Sequence, residues 1–325
     1  MFRIRSLRMT ALSLVVAAAG AVTLSPVAVH AAGPQPKSVP GYYRMMLGDF
    51  EVTAISDGTF SLPVDKLLTN VKPAQVNRAL AKQFLKAPVE TSVNGYLINT
   101  GSKLVLIDSG ASGLFGPTLG KLQANLKAAG YSAEQIDEVY ITHLHPDHVG
   151  GLVVDGKMAF PNAIVRADKH DADYWLSEEN MKKAPKDSQG FFQGAMTSLN
   201  PYVKADKFKS FEGDTDLVPG IKAIATHGHT PGHAVYAIES KGQKLVLWGD
   251  LMHVAAVQFA EPSVTIAFDT DAKAAAAQRK KAYADAAKGG YIVGSAHLSF
   301  PGLGHLRTEG RGYVFVPVNY SPPAK

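Results

Sequence analysis

The sequence predicts an α/β fold, and three observations support this prediction. The chain has 325 residues, of which 46% are hydrophobic, so it is long enough to bury a substantial core. Its apolar segments are short enough to be strands, and they alternate with longer segments that have helical spacing. The sequence contains no low-complexity segment, short repeat or clear linker. A single domain over residues 32–325 is therefore expected.

Antiparallel strands come first in the predicted order. Alternating or continuous apolar residues predict strands at 50–55, 92–99, 103–107 and 139–141. Asp57-Gly58 predicts a turn after the first of these strands, and the second and third form a hairpin. A helix is expected between Pro117, near its start, and Gly130, which ends it.

The second half of the chain repeats this alternation. Helices are expected at 169–178, 190–199 and 271–287, and strands at 222–225, 234–238, 244–247 and 291–293. Mixed sheets covered by helices follow from this order. The residues alone indicate the α/β class and no particular architecture.

The N-terminus is predicted to be a signal peptide of residues 1–31. Three arginines precede an apolar stretch at 11–24, and small residues up to Ala31 suit signal peptidase. The stretch is too short for a convincing membrane span, although an uncleaved anchor is the alternative. The mature protein is therefore expected to be periplasmic or secreted, without stable membrane insertion.

Charge and cysteine content exclude several functions. The formal charge of +5 falls to about +2 once the signal peptide is removed, and no block of Lys and Arg with interleaved aromatic residues occurs. Nucleic acid is therefore not expected as a partner. Cysteine is absent, which excludes disulfides and thiolate metal ligands.

The most informative motif follows the predicted strand at 139–141. It places His143, His145, Asp147 and His148 within six positions. Imidazole nitrogen and carboxylate oxygen are ligands that zinc prefers, so the motif predicts a metal site, with two ions expected. One motif does not complete two coordination shells. The remaining candidates each follow a short apolar strand, and they are His229, Asp250 and His297.

In this order the seven residues resemble the ligand pattern of the metallo-β-lactamase superfamily, which is His-x-His-x-Asp-His, a lone His, a bridging Asp and a final His. The resemblance covers residues 41–318. Through segments 41–44, 227–233 and 297–302, it is closest to the methyl parathion hydrolase branch of ester, lactone and phosphotriester hydrolases. It implies a metallo-β-lactamase-type αβ/βα four-layer sandwich with the site in a cleft at one sheet edge.

The resemblance also implies how two divalent ions would be held. Zinc is the expected metal, and manganese, cobalt or iron stays open because the same ligands accept them. Two groups of three residues would each bind one ion and share a bridging carboxylate: His143, His145 and His229 for the first, Asp147, His148 and His297 for the second, and Asp250 between them.

The other histidines and one further aspartate are interpreted as supporting residues. His227 and His233 flank His229 and are expected to orient a ligand or to be structural. Asp108 follows a predicted strand, where it would accept a hydrogen bond from a ligand imidazole or cap the next turn. The remaining histidines are interpreted as ordinary core or surface residues: His30, His170 and His305.

Two ions about 3.5–4 Å apart can lower the pKa of a shared water, so the expected nucleophile is a bridging hydroxide, which Asp250 would help to orient. No side-chain nucleophile is evident, since cysteine and a Gly-x-Ser-x-Gly elbow are missing. Cysteine-ligand β-lactamases are excluded, and Asp250 argues against the cysteine-free ones. His145 stands where the diiron reductases have a carboxylate.

The same resemblance implies a substrate pocket. The aromatic entrance would be lined by Phe115, Trp175 and Phe191 (or its neighbour Phe192), and the leaving group would be surrounded by Leu67, His253, Ile266 and Phe268. Ile266 and Phe268 would narrow the pocket, which favours a planar carbonyl. His253 would donate to a leaving phenolate or lactone oxygen. Since these positions carry no Lys or Arg, a neutral substrate is expected.

The resulting hypothesis is a binuclear metal-dependent hydrolase of aromatic lactones or aryl esters, with a weaker phosphotriesterase activity. An organophosphate triesterase of the methyl parathion type is the alternative enzyme. A non-catalytic periplasmic zinc-binding protein is the alternative of another class, but its ligands would be expected in one exposed loop. The expected partner is a small neutral aromatic ester or lactone, and relatives in this branch suggest a homodimer.

Overall fold

Two seven-stranded sheets are formed by the strands of residues 39–320, the range that this computed structural model describes. The predicted signal peptide, His30 and the tail at 321–325 lie outside the described residues. Residues 40–320 pack as one unit. Among the described residues, no helix has the length and apolar character needed to cross a membrane.

The first sheet is built from the first half of the chain. The strands in the first half of the chain are, in order, β1 (Tyr42–Leu47), β2 (Phe50–Leu62), β3 (Leu68–Thr69), β4 (Val89–Asn99), β5 (Leu104–Ile107), β6 (Glu138–Tyr140), β7 (Val153–Val154), β8 (Lys157–Met158), β9 (Ile164–Asp168) and β10 (Phe208–Phe211). The sheet order is β1-β2-β4-β5-β6-β9-β10. Pairing is antiparallel from β1 to β5 and parallel from β5 to β10.

The second sheet is built from the second half. Its strands, with one short extra strand, are β11 (Thr215–Val218), β12 (Ile221–Ala225), β13 (Ala234–Ser240), β14 (Gln243–Leu247), β15 (Thr265–Ile266), β16 (Ile292–Gly294), β17 (Leu303–Glu309) and β18 (Gly312–Pro317). The order is β11-β12-β13-β14-β16-β17-β18, in which β14 and β16 pair in parallel. The short β15 pairs with β3, and β7 pairs with β8. The chain therefore crosses between the two large sheets at residues 212–214.

The helices connect these strands. They are α1 (Val64–Leu67), α2 (Pro73–Ala81), α3 (Leu122–Ala128), α4 (Pro146–Val149), α5 (Lys169–Trp175), α6 (Glu178–Lys183), α7 (Gln189–Lys204), α8 (Ala255–Gln258) and α9 (Ala272–Gly289). Short 3₁₀ turns lie at Ala133–Gln135, Gly150–Leu152 and Lys186–Ser188.

Alternating side chains on the strands build the layers. On β4, Leu97 belongs to a buried cluster that includes Leu122 of α3, whereas Tyr96 belongs to the cluster that includes Tyr236 of the second sheet. On the far side of the second sheet, Val235 packs near Tyr283 of α9. Helices therefore cover the outer faces and an apolar core lies between the sheets, so the four-layer sandwich is confirmed.

Asp57 explains two local differences from the sequence prediction. The predicted turn at Asp57-Gly58 is wrong, because β2 continues through a bulge there to Leu62. The Asp57 carboxylate instead accepts hydrogen bonds from the amides of Ala111, Gly120 and Leu122 at 2.9, 3.0 and 3.0 Å. Because these hydrogen bonds fix the backbone that precedes α3 in a non-helical conformation, the helix begins at Leu122 and not near Pro117.

The second-half helices differ from prediction mainly in their ends. The segment predicted as one helix at 169–178 is divided into α5 and α6, because the side chain of Ser177 caps a new helix by accepting from Asn180 N. Helix α7 extends to Lys204 and includes Pro201. Helix α9, predicted at 271–287, is capped by the side chain of Asp271, which accepts from Ala274 N, and it ends before a left-handed Gly290.

Candidate metal centre

The seven predicted ligands converge at one edge of the sandwich, although they come from both sheets. His143 and His145 follow β6, and Asp147 and His148 lie in the short helix α4. The other three follow strands of the second sheet: His229 after β12, Asp250 after β14 and His297 after β16. Each of the seven is buried, with at most 8% of its surface exposed.

Asp250 lies between two groups of side chains. Its Oδ2 atom is 3.6 Å from His143 Nε2 and 3.4 Å from His229 Nε2. Its Oδ1 atom is 3.2 Å from both His148 Nε2 and His297 Nε2. Tetrahedral ligands with metal–nitrogen distances of about 2.0–2.1 Å are themselves about 3.3 Å apart. His297 Nε2 is also 3.2 Å from Oδ2, so the two groups of side chains meet at the Asp250 carboxylate, at separations suited to two ions that share it.

Each group is also close-packed internally. In the first, His229 Nε2 lies 3.2 Å from His145 Nδ1. In the second, Asp147 Oδ2 lies 3.6 Å from His148 Nε2 and 3.4 Å from His297 Nε2. The separations again match those between ligands of a single ion.

Buried polar atoms without partners provide a test of whether a metal fits. Among the described residues, no hydrogen-bond partner is found for His143 Nε2, His148 Nε2 or Asp250 Oδ1. Leaving a buried polar atom unsatisfied costs about 1–3 kcal/mol, and more for a charged group. Nitrogen and carboxylate oxygen are the donor set that zinc prefers. The arrangement therefore fits two divalent cations.

Two kinds of protonation state occur among the ligand side chains. Burial lowers the pKa of His143 and of His145 well below the usual value, so both imidazoles are neutral and keep a lone pair. Burial alone would raise the pKa of Asp250, but the imidazoles of His297 and His148 hold it well below its usual range. Neutral imidazoles and an ionised carboxylate are the forms that coordinate a metal. Burial alone would lower the pKa of His148, His229 and His297, but Asp250 raises each above its usual value, so these three must release a proton to bind a cation.

Comparison with known proteins agrees with this geometry. Residues 88–297 match the family model described as the metallo-beta-lactamase superfamily. The chain belongs to this superfamily. An N-acyl homoserine lactonase of Bacillus cereus is 34% identical over 125 residues, which are 38% of this chain and 40% of the lactonase. The chain therefore spans less than half the length of that relative.

Two solved structures of the superfamily are similar over nearly the whole fold. The hydrolase AbOPH is 39% identical with a TM-score of 0.84, and the alignment covers 88% of this chain and 100% of AbOPH. AidC, a dizinc quorum-quenching lactonase in complex with a product, is 28% identical with a TM-score of 0.80, and the alignment covers 87% of this chain and 99% of AidC.

Hydrogen bonds from outside the centre orient the imidazoles. Asp108 accepts a hydrogen bond from His148 Nδ1 at 2.8 Å, which is the ligand contact expected from the sequence. Asp269 accepts one from His229 Nδ1 at 2.8 Å, and the carbonyl of Ser92 accepts one from His297 Nδ1 at 2.9 Å. Asp269 and Ser92 carry no motif, so sequence reasoning did not find them.

Two further residues fix the loops that carry the ligands. Asp171 accepts hydrogen bonds from Leu144 N at 2.8 Å and Gly232 N at 2.5 Å, which joins the loops from the two sheets. His233 Nε2 accepts from Asp250 N at 3.1 Å, and burial lowers the pKa of His233 to about 3, so it stays a neutral acceptor. His233 is therefore structural, which is one of its two expected roles.

The predicted aromatic entrance lies beside the first ligand group. The rings of Trp175 and Phe191 are 5.1 and 4.9 Å from the ring of His145. With Phe192 and Phe268 they line a cavity of about 520 Å³. Lys183 also lines this cavity, but its Nζ contacts Glu179 at 2.5 Å.

The remaining predicted pocket residues lie elsewhere around the centre. Phe115 stacks on Phe60, whose ring centroid is 6.1 Å from that of His297, and neither phenylalanine lines the cavity. Ile266 is 1% exposed and packs in an apolar cluster that Leu67 contacts. His253 Nε2 lies 3.0 Å from Asp250 Oδ2, and its ring stacks on His297. The expected pocket is thus divided, with His253 close to both ligand groups.

Proposed function

We propose that this protein is a binuclear metal-dependent hydrolase that cleaves lactones and aryl esters, with a weaker activity toward phosphotriesters. The observation that carries the proposal is the position of Asp250, whose carboxylate lies within 3.6 Å of imidazole nitrogens from both buried groups of ligand-type side chains. An open two-ion centre beside an apolar cavity is the usual setting of metal-assisted hydrolysis.

Similarity to lactonases supports the carbonyl substrate. The Bacillus cereus relative is an N-acyl homoserine lactonase, and AidC is a dizinc lactonase. A cyclic ester with an apolar substituent suits the cavity here, because five aromatic side chains line part of it and its volume is within the range of about 300–1,000 Å³ typical of small-molecule sites. The five are Tyr174, Trp175, Phe191, Phe192 and Phe268.

Each side chain has a definite role in this proposal. Two bound divalent cations would lower the pKa of a shared water and polarise the substrate carbonyl. One cation would be held by His143, His145 and His229, the other by Asp147, His148 and His297, and Asp250 would contact both. Trp175 and Phe191 bind the apolar part of the substrate beside His145.

His253 is proposed to contact the leaving oxygen. Within the described residues both of its ring nitrogens are buried without a hydrogen-bond partner, although Nε2 lies 3.0 Å from Asp250 Oδ2. With Nε2 beside the Asp250 carboxylate, Nδ1 is the ring nitrogen that would donate to the phenolate or alkoxide that leaves. Phe268 narrows the space between Phe191 and His253, with ring centroids 6.2 and 6.3 Å from theirs. A planar carbonyl fits this gap better than a tetrahedral phosphotriester.

The deciding experiment compares kcat/KM of the zinc-loaded mature chain on three substrates. These are an N-acyl homoserine lactone, an aromatic lactone and a dimethyl phosphotriester with a matched phenol leaving group. We expect both lactones to exceed the phosphotriester by at least about 10²-fold, and the aromatic lactone to be the best. The reverse order supports an organophosphate triesterase. Zinc binding without turnover of any substrate supports the non-catalytic alternative.

Export and assembly are separate proposals. We propose that the mature chain, from about residue 32, is periplasmic or secreted and forms a homodimer. Cell fractionation followed by N-terminal sequencing tests the first, and light scattering of the purified chain tests the second. A cytoplasmic chain that retains residue 1, or a monomer at micromolar concentration, contradicts the respective proposal.

A further inference from the structure

A second group of ligand-type side chains lies outside the centre described above. Asp168 is the last residue of β9, His170 is in the first turn of α5, and His227 is in the loop after β12. Their potential ligand atoms all lie within 4.8 Å of one another. The sequence indicated an ordinary core or surface residue at His170 and a supporting role for His227, and it gave no signal that joined them to Asp168.

The contacts go beyond an ordinary helix cap. Asp168 Oδ1 accepts from His170 N at 2.8 Å, which is the expected capping bond of α5. A cap of this kind requires neither imidazole. Here, however, His170 Nδ1 lies 2.9 Å from Asp168 Oδ1, and His227 Nε2 lies 3.4 Å from Asp168 Oδ2. The two imidazole rings are themselves 4.8 Å apart.

We propose that Asp168, His170 and His227 form a third site for a divalent cation of the zinc, copper or nickel type. Two imidazoles and one carboxylate form a donor set that these borderline ions accept, whereas calcium and magnesium prefer oxygen ligands. The side chains of His170 and His227 are 48% and 34% exposed, so water can reach the ion and complete its coordination.

Exposure and ligand number determine how tightly the third site binds its cation, compared with the centre around Asp250. The centre around Asp250 offers seven buried side chains for two ions, whereas the third site offers three side chains, of which Asp168 alone is fully buried. The third site therefore binds its cation more weakly and fills after the first two.

The position of the third site predicts what its cation does. His227 lies two residues before His229, and His170 lies on the helix that ends with Trp175. A cation held by both imidazoles cross-links the loop that carries His229 to α5, the helix that carries Trp175 of the aromatic entrance. The cross-link stabilises the folded chain, because the cation binds the folded state alone.

The number of bound ions tests the proposal directly. The full mature chain is dialysed to equilibrium against increasing free zinc, and zinc per chain is measured by mass spectrometry. We expect the wild-type chain to rise from two to three ions, and His170→Ala to stop at two. His305→Ala is the matched control, because His305 is a partly exposed histidine outside this group, and its Nδ1 donates to Gly290 O at 3.0 Å. It is expected to reach three. A wild type that stops at two, or a His170→Ala chain that reaches three, overturns the proposal.

Chemical modification gives a second readout on the unmutated chain. Diethyl pyrocarbonate labels accessible histidines, and peptide mass spectrometry gives the labelling rate at each position. Raising zinc from two to three ions per chain is expected to slow the labelling of His170 at least fivefold and to leave that of His305 unchanged. Equal labelling of His170 at both zinc levels, or equal protection of the two histidines, contradicts a specific third site.

Discussion

The two halves of the candidate metal centre are assembled alike but surrounded differently. Each half takes two side chains from the segment 143–148 and one from the second sheet. The half with His143, His145 and His229 has Asp250 as its single carboxylate and lies against Trp175 and Phe191. The other half has the additional carboxylate of Asp147.

This difference indicates a division of labour. An ion in the histidine half is neutralised by one shared carboxylate, whereas an ion in the other half meets two. The histidine half therefore keeps more positive charge, and it is next to the cavity of about 520 Å³. We expect the substrate carbonyl to be polarised on the histidine side.

The largest effect on activity is expected when Asp250, the residue that the two halves share, is replaced. Asp250→Ala should lower kcat/KM for a lactone at least about 10³-fold, because both ions lose a ligand and the shared water loses its charged neighbour. Zinc per chain, measured by mass spectrometry at low free zinc, should fall below two. A variant that keeps two ions and most of its activity would contradict the proposal that Asp250 contacts both ions.

A matched pair of substitutions separates the halves. Asp108→Asn weakens the acceptor for His148, and Asp269→Asn weakens the acceptor for His229. Loss of such a supporting carboxylate typically costs about 10–100-fold in metal affinity. Chelator titration should therefore show one of the two ions released early in each variant, and a different ion in each.

Cobalt substitution shows which ion is released first in the Asp108→Asn and Asp269→Asn variants. Each variant should lose a different part of the visible absorption spectrum of the dicobalt chain, because the two halves have different donor sets. Identical spectra after release of the first ion would mean that Asp108 and Asp269 support the centre as a whole.

His253→Leu tests the residue that lies close to both halves. It should lower kcat/KM for an aromatic lactone about 10- to 100-fold, because the leaving oxygen loses a hydrogen-bond donor. The phosphotriester rate should fall less or rise, since leucine leaves more room beside Phe268. Unchanged rates on both substrates would mean that His253 takes no part.

The smallest expected effect concerns the aromatic wall. Phe191→Ala should raise KM for a lactone with a long acyl chain about tenfold, which corresponds to about 1.4 kcal/mol, and should change kcat little. A short-chain lactone should respond less. Phe84→Ala is the control, because this side chain is 99% exposed and away from the cavity lining. If Phe191→Ala raises KM equally for the long-chain and the short-chain lactone, Phe191 does not bind the acyl group.

The sequence predicted the parts of the site that depend on local order. His143, His145, Asp147 and His148 lie in one short segment, and their residue types alone indicated a metal. The remote ligands followed from the superfamily order and from the apolar strands before them. Because strand ends meet at one sheet edge, the prediction that they converge depended only on the fold.

Residues that act through tertiary contacts were not predictable in the same way. Asp269 is 40 positions from His229, and nothing in its neighbours marks it as an acceptor for an imidazole. Asp57 was interpreted as a turn residue because its role depends on the amides of a distant loop. The grouping of His170 with His227 likewise depends on how β9 and β12 lie in the two sheets.

Within residues 39–320 the chain crosses between its two large sheets once, at residues 212–214, and this has a consequence for unfolding. One sheet supplies the segment 143–148, and the other supplies His229, Asp250 and His297. Neither sheet alone can hold an ion, so separating the sheets and releasing the metal are one thermodynamic event. The melting temperature should therefore rise with free zinc concentration. Two fragments cut within 212–214 should associate more tightly when zinc is present than when it is chelated.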